Sequence, residues 1–167
     1  LSIVNQLDWM NRQYNLSRED KVLLKTPCSF DPIVWEIFWT LGYGATLVIA
    51  QPDGHKDPSY LRNIIEQEKV SIVHFVPSML AMYVESEGAR LPSSLRQVIS
   101  GGEVLPANLV NKIKTQSPWL LLDNSYGPTE ATIGVSWHSC EAMTNKQSVP
   151  IGLPIQNTQL LVLDDNL

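Results

Sequence analysis

The chain has 167 residues, 44% of them hydrophobic and 17% charged, which is enough for one packed core and too evenly mixed for a disordered segment. A net charge of −5, with no block of like charges, leaves no basic footprint for nucleic acid or anionic lipid. The longest apolar runs, such as residues 33–41 broken by Glu36, fall well short of the roughly 20 residues a membrane-spanning helix needs, so neither nucleic acid nor membrane is expected as a partner.

In chain order, Ile3, Leu7, Met10 and Tyr14 recur at helical spacing and predict an amphipathic helix over residues 1–14, interrupted by Asn15 and Ser17. Residues 21–26 read as a strand. Asp31-Pro32 is a helix-start signal, with Asp at the cap and Pro in the first turn, for a helix over 32–41 that is apolar on most sides and so expected to be buried. Gly42 and Gly44 end it, and 45–50 is a second apolar strand. After a loop over 51–57, a second such pair, Asp57-Pro58, opens a helix with Leu61, Ile64 and Ile65 facing inward. A strand over 70–75, a helix over 78–87, a strand over 96–100, a helix over 106–114 and a strand over 119–122 follow, with late strands over 132–137 and 159–163. Apolar strands alternating with helices imply an α/β fold, with a mainly parallel sheet joined by crossover helices. Cys28 and Cys140 have no metal-ligand or paired spacing and read as reduced thiols, while His55 and His138 read as surface residues.

Ligands of such sheets gather at the carboxyl ends of the strands. The chemistry-bearing stretches all fall there: Phe30-Asp31, His74, Gly101-Gly102-Glu103, and the run from Asn124 to Glu130. In that run Tyr126 offers a ring to a purine, Thr129 a hydroxyl to a phosphate and Glu130 a carboxylate to a hard cation, although Asn, Ser, Gly and Pro equally make an ordinary loop. Asp31, before a proline, reads by itself as a helix cap. Gly101 and Gly102 fit either a tight turn or bare backbone against a flat base, and Asn124 either an Asx turn or a base-edge contact. His74, inside an apolar strand, fits either the core or a cleft. A hydrolase with a nucleophile elbow is excluded, because no Gly-x-Ser-x-Gly occurs.

Three stretches in this order, Ser29-Phe30-Asp31-Pro32-Ile33-Val34-Trp35-Glu36, Val98-Ile99-Ser100-Gly101-Gly102-Glu103 and Asn124-Ser125-Tyr126-Gly127-Pro128-Thr129-Glu130, carry a family resemblance. With residues 41–50 and 151–158 flanking them, the whole chain resembles the amino-acid-activating adenylation domains of non-ribosomal peptide synthetases, within the AMP-binding, acyl-adenylate-forming superfamily. The resemblance implies that residues 1–167 are a partial adenylation domain, part of the large N-terminal subdomain and truncated at both ends. The phosphate loop would lie before Leu1, and the ribose-binding Asp and catalytic Lys after Leu167. It implies ATP and Mg²⁺ as cofactors, phosphopantetheine on a carrier domain as acceptor, carrier and condensation domains as partners, and a cytoplasmic setting. Asp31 would bind the substrate α-ammonium, with Pro32, Trp35, His74, Ile99, Gly101, Ser125, Ile133 and Gly134 lining the side-chain pocket. Gly102, Glu103, Val104, Asn124, Tyr126 and Thr129 would hold the nucleotide, and Glu130 the magnesium, Thr129 and Glu130 being the catalytic pair. His74 and Ser125 favour a polar side chain, glutamate-like first and hydroxyl-bearing second. An aryl or fatty-acyl ligase of the same superfamily, which Asp31 argues against, and a non-catalytic α/β interaction module are the alternatives.

Overall fold

The structure, a computed structural model, describes residues 1–141 and 147–164. Five parallel strands, β1 (Lys21–Leu24), β2 (Thr46–Ile49), β3 (Ile72–Phe75), β4 (Gln97–Gly101) and β5 (Leu121–Tyr126), are followed by two antiparallel ones, β6 (Ser136–Ser139) and β7 (Leu153–Pro154). They form one sheet in the order β2-β1-β3-β4-β5-β6-β7. The short apolar runs become parallel strands because helices cover both faces: α1 (Ser2–Tyr14), which precedes β1, and α2 (Pro32–Gly42) on one, and α3 (Pro58–Glu68), α4 (Pro77–Glu87) and α5 (Ala107–Gln116) on the other, α2 to α5 being the crossovers.

Side chains alternate between the two layers. Val22, Ile72 and Ile99 pack with Met10, Tyr14, Trp35 and Trp39 of the α1/α2 layer, while Leu23, Val73, Phe75 and Val98 pack with Leu61, Ile65, Leu80, Val110 and Ile113 opposite. This alternation places His74, one residue before Phe75, on the α2 side. At the amino ends of the strands Arg96 ties the layers together: its guanidinium donates to both Asp20 oxygens at 2.8 and 3.0 Å and to the Tyr14 carbonyl at 3.0 Å.

Three expectations are corrected. The fifth strand does not end at residue 122 but runs to Tyr126, because Asn124 and Ser125 pair with Ser100 and Gly101 on one side and with His138 and Trp137 on the other. Two satisfied ladders outweigh the turn preference of Asn and Ser. The strand expected over 132–137 begins only at Ser136, since Thr132 and Ile133 take left-handed backbone, φ 64° and 72°. That conformation is costly for β-branched residues and marks a constrained turn beside the site. Residues 159–163 form no strand, because no neighbour among the described residues pairs with them, and Leu161 and Val162 stand exposed.

Candidate functional site

Strand order reverses between β1 and β3, so the connections leave in opposite directions and open a crevice at the carboxyl ends of those strands. The β1–α2 loop delivers Asp31 to this crevice. Asp57, before α3, has extended backbone and caps its helix by accepting from the Ser59 and Tyr60 amides at 3.0 and 3.1 Å. Asp31 has already entered helical geometry, φ −63° and ψ −25°, and makes no capping hydrogen bond. A cap requires the extended form, so the Asp31 carboxylate is left to face two adjoining cavities.

The smaller of these cavities, about 60 Å³, is bordered by all the expected side-chain positions except Gly134, which lies instead on a groove against α1. Ile99, on β4, forms its wall with Trp35, whose ring meets His74 edge-on at 5.6 Å. His74 is 6% exposed, and its Nδ1 is sealed from solvent without a hydrogen bond, 3.9 Å from Glu36 Oε1. Burial, reinforced by the charge of Lys25, pushes its pKa down to about 3, so the imidazole is neutral. Glu36 is fully buried and accepts from the Thr26 amide at 3.2 Å and the Thr26 hydroxyl at 2.6 Å. Burial raises its pKa against the pull of Thr26 and Lys25.

The larger cavity, about 410 Å³, adds Lys25, Thr26 and His55 to the wall shared with Asp31 and His74. The Lys25 ammonium lies 4.7 Å from the Phe75 ring centre without a hydrogen bond among the described residues, and burial pushes its pKa down to about 8. Sequence reasoning passed over Lys25 and Glu36 and left His55 on the surface. The available signals were Lys25-Thr26 just past an apolar strand and an acid interrupting an otherwise apolar helix; His55 gave none, because only the 3-10 turn Gly54–Lys56 brings it to the cleft.

A third cavity, about 570 Å³, meets the smallest across Gly102, Ser125 and Gly127, and Glu103, Val104, Asn124 and Tyr126 line it. Gly102 takes φ 92°, a conformation that excludes other residues without strain, and turns the chain from β4 toward α5. Gly127 is required by proximity, since a Cβ there would collide with the Ile133 carbonyl. Tyr126 is 46% exposed, its ring free to stack. The Asn124 amide donates to the Pro150 carbonyl at 2.9 Å, and the Glu103 carboxylate accepts from the Ser78 amide and hydroxyl, both at 2.9 Å, holding the start of α4. Contacts from Glu103 to a base would therefore use its backbone. Thr129 and Glu130 stand exposed on the 3-10 turn Thr129–Ala131, outside these cavities at the rim beside Pro128. Glu130 has no hydrogen-bond or ion-pair partner, and no group of three or more metal-ligating side chains occurs, among the described residues. One unengaged carboxylate matches the way Mg²⁺ is held, by one or two carboxylates with phosphate oxygens and waters.

Taken together, a doubly wound α/β sheet with paired cavities at its carboxyl edge, one small beside an acid and one lined by glycine and an exposed ring, defines a nucleotide-using enzyme core. The chain belongs to the AMP-binding enzyme family, whose match spans residues 1–167. It is 47% identical over 178 aligned positions to vanchrobactin synthetase VabF of Vibrio anguillarum, covering 99% of this chain and 6% of that protein. It is 46% identical over 173 positions to enterobactin synthase component F of Escherichia coli K12, covering 98% and 13%. Among solved structures it resembles the non-ribosomal peptide synthetase FmoA3 with α-methyl-L-serine-AMP bound, at TM-score 0.91 and 27% identity, over 99% of this chain and 19% of that one. The chain thus spans only a small part of the relatives it matches. None of its described helices is long and apolar enough to cross a membrane.

Proposed function

We propose that this chain is the central part of an adenylation domain that condenses an amino acid with ATP to an aminoacyl adenylate and pyrophosphate, and then passes the acyl group to a phosphopantetheine thiol on a carrier domain. The observation that carries this reading is the uncapped Asp31 carboxylate, which faces a side-chain cavity adjoining a nucleotide-sized one. An α-ammonium taken into the crevice needs that carboxylate, and with the ammonium at Asp31 the substrate carboxylate is directed toward Gly102, where the two cavities meet. Tyr126 stacks the base while Gly102 and Val104 provide backbone against it. The reaction is an in-line attack of a carboxylate on the α-phosphate, so it needs alignment and charge neutralisation more than acid or base. Thr129 donates to a phosphate oxygen, and Glu130 anchors the Mg²⁺ that neutralises phosphate charge. In this reading the phosphate loop precedes Leu1, the catalytic Lys follows Leu167, carrier and condensation domains flank the domain, and it works in the cytoplasm.

The test is amino-acid-dependent ATP/pyrophosphate exchange by the complete domain with and without Glu130→Gln. An amide is a poor ligand for Mg²⁺, so exchange falls by about 10²-fold or more while the far-ultraviolet circular dichroism is unchanged. Equal exchange by both proteins across a magnesium titration refutes the role of Glu130.

A further inference from the structure

Resting on the phosphate and magnesium roles proposed above, we infer that Gln6 of α1 is a positioning residue for the turn that carries Thr129 and Glu130: it grips the backbone of Thr132 and Gly134 and thereby sets the affinity for Mg·ATP.

The turn needs support from outside itself. Thr129 and Glu130 are exposed, and the two residues after the 3-10 turn are left-handed, at φ 64° for Thr132 and 72° for Ile133. β-Branched residues stay in that region only where their surroundings hold them there. Gln6 is 4% exposed and lies against this segment. With its amide oriented to suit its neighbours, the nitrogen donates to the Thr132 carbonyl at 2.8 Å and the oxygen accepts from the Gly134 amide at 3.3 Å. A Cβ on Gly134 would lie 2.9 Å from the Gln6 amide group, so glycine at 134 is what lets that side chain reach the backbone. Thr132 then carries two bonds in series. Its carbonyl accepts from Gln6, and its own amide donates to the Thr129 carbonyl at 3.1 Å, which links α1 to the residues assigned to phosphate and magnesium.

The helix is a firm anchor for this grip. Met10 and Tyr14 are buried in the core. The Asn5 side chain donates to the Gln156 carbonyl at 2.9 Å, and the Gln156 side chain donates back to the Asn5 carbonyl at 3.1 Å and to the Asp8 carboxylate at 3.0 Å. The Ile155 amide in turn donates to the Val135 carbonyl at 2.9 Å, so both ends of the segment that follows the turn are tied to α1. Glutamine suits the position because one side chain must offer one donor and one acceptor. A carboxylate offers two acceptors, and leucine offers neither.

Titration calorimetry on the complete domain tests this. Gln6→Leu is expected to bind Mg·ATP about tenfold more weakly, since both bonds to the turn are lost. Adenosine, which uses the Tyr126 ring and neither Thr129 nor magnesium, is expected to bind within about twofold of the parent. Gln6→Glu adds a pH readout: as a carboxylate it repels the Thr132 carbonyl, whereas protonated it has one O–H and one carbonyl oxygen and restores both bonds. Burial raises such a carboxyl above its ordinary value of roughly 4.3, so the variant-to-parent ratio of Mg·ATP dissociation constants is expected to fall as pH is lowered from about 8 to about 6. Unchanged Mg·ATP affinity in Gln6→Leu, or a ratio for Gln6→Glu that is flat with pH, overturns the inference. Equal weakening of Mg·ATP and adenosine also overturns it, because general loosening moves both ligands together. Should Gln6→Leu not fold, the pH series on Gln6→Glu decides, and failure of both variants to fold makes Gln6 a support of the fold and overturns the positioning role. A parent domain that binds Mg·ATP yet exchanges pyrophosphate with none of the twenty amino acids overturns the adenylation reading instead, because the binding comparison requires no turnover.

Discussion

Asp31 and Asp57 precede proline in the same way, yet only Asp57 caps its helix. The difference is one of backbone: extended geometry turns the Asp57 carboxylate back onto the first amides, whereas helical geometry at Asp31 turns its carboxylate into the crevice. Asp31→Ala in the complete domain is accordingly expected to cost little stability, because no capping bond is lost, and to erase the preference for an amino acid over its des-amino analogue. Thermal melting together with competition by the des-amino carboxylate in the exchange assay checks both halves. A drop in stability of about 1 kcal/mol, the usual worth of a cap, with substrate preference intact would return Asp31 to a structural role. At this scale the dipeptide alone reads as a cap in both places, and only the backbone geometry separates them.

Among the elements, β5 carries a buried acid away from the site. Asp123 is 4% exposed and receives the Gln97 amide at 3.2 Å. Burial pushes its pKa up from 3.8 to about 6, against the pull of its hydrogen bonds from Ser139 and Gln97. The folded state therefore holds this proton more tightly than the unfolded chain, so the stabilisation is complete below about pH 4 and is lost as pH rises through about 6. Asp20 runs the other way. Burial alone would raise it, but the Arg96 fork, the Ser17 amide and the Ser71 hydroxyl hold it at about 2, and its stabilisation is present above about pH 4 and lost as pH falls through about 2. Asp123→Asn is expected to gain stability relative to the parent on going from pH 4 to pH 7, by on the order of 2–3 kcal/mol. Urea unfolding at several pH values reads this, and parallel pH profiles for the two proteins would contradict it.

On the scale of the molecule, the sheet edge and the α2 face end in apolar side chains that none of the described residues covers. Phe38 is 60% exposed, Ile49 on the edge strand β2 69%, and Leu161 and Val162 extend the same property at the other end. An uncovered edge strand and apolar patches of this kind promote association. The 167-residue chain expressed alone is expected to elute from a sizing column at sizes that grow with concentration and to give no amino-acid-dependent exchange. A concentration-independent monomer with exchange comparable to the complete domain would overturn both expectations.

The sequence by itself determined the alternation of strands and helices, the parallel sheet it implies, and the edge at which Asp31, His74, Gly102 and Tyr126 gather, because hydrophobic period and Asp-Pro and Gly-Gly punctuation are local signals. It could not determine that Asn124 and Ser125 extend a strand, that residues 159–163 remain unpaired, or that His55 borders the cleft. Each of those outcomes depends on which distant backbone supplies the hydrogen bonds or the neighbouring wall. The charge environment of the pocket likewise arises only from long-range packing. Glu36 and Lys25 are far from His74 in sequence, yet the packing of α2 against β1 and β3 puts both near it and removes the water that would have screened them. Volume belongs to the same category, since the 60 Å³ left between Trp35, Ile99 and His74 is a remainder after three elements have packed, and no single segment of the chain encodes it.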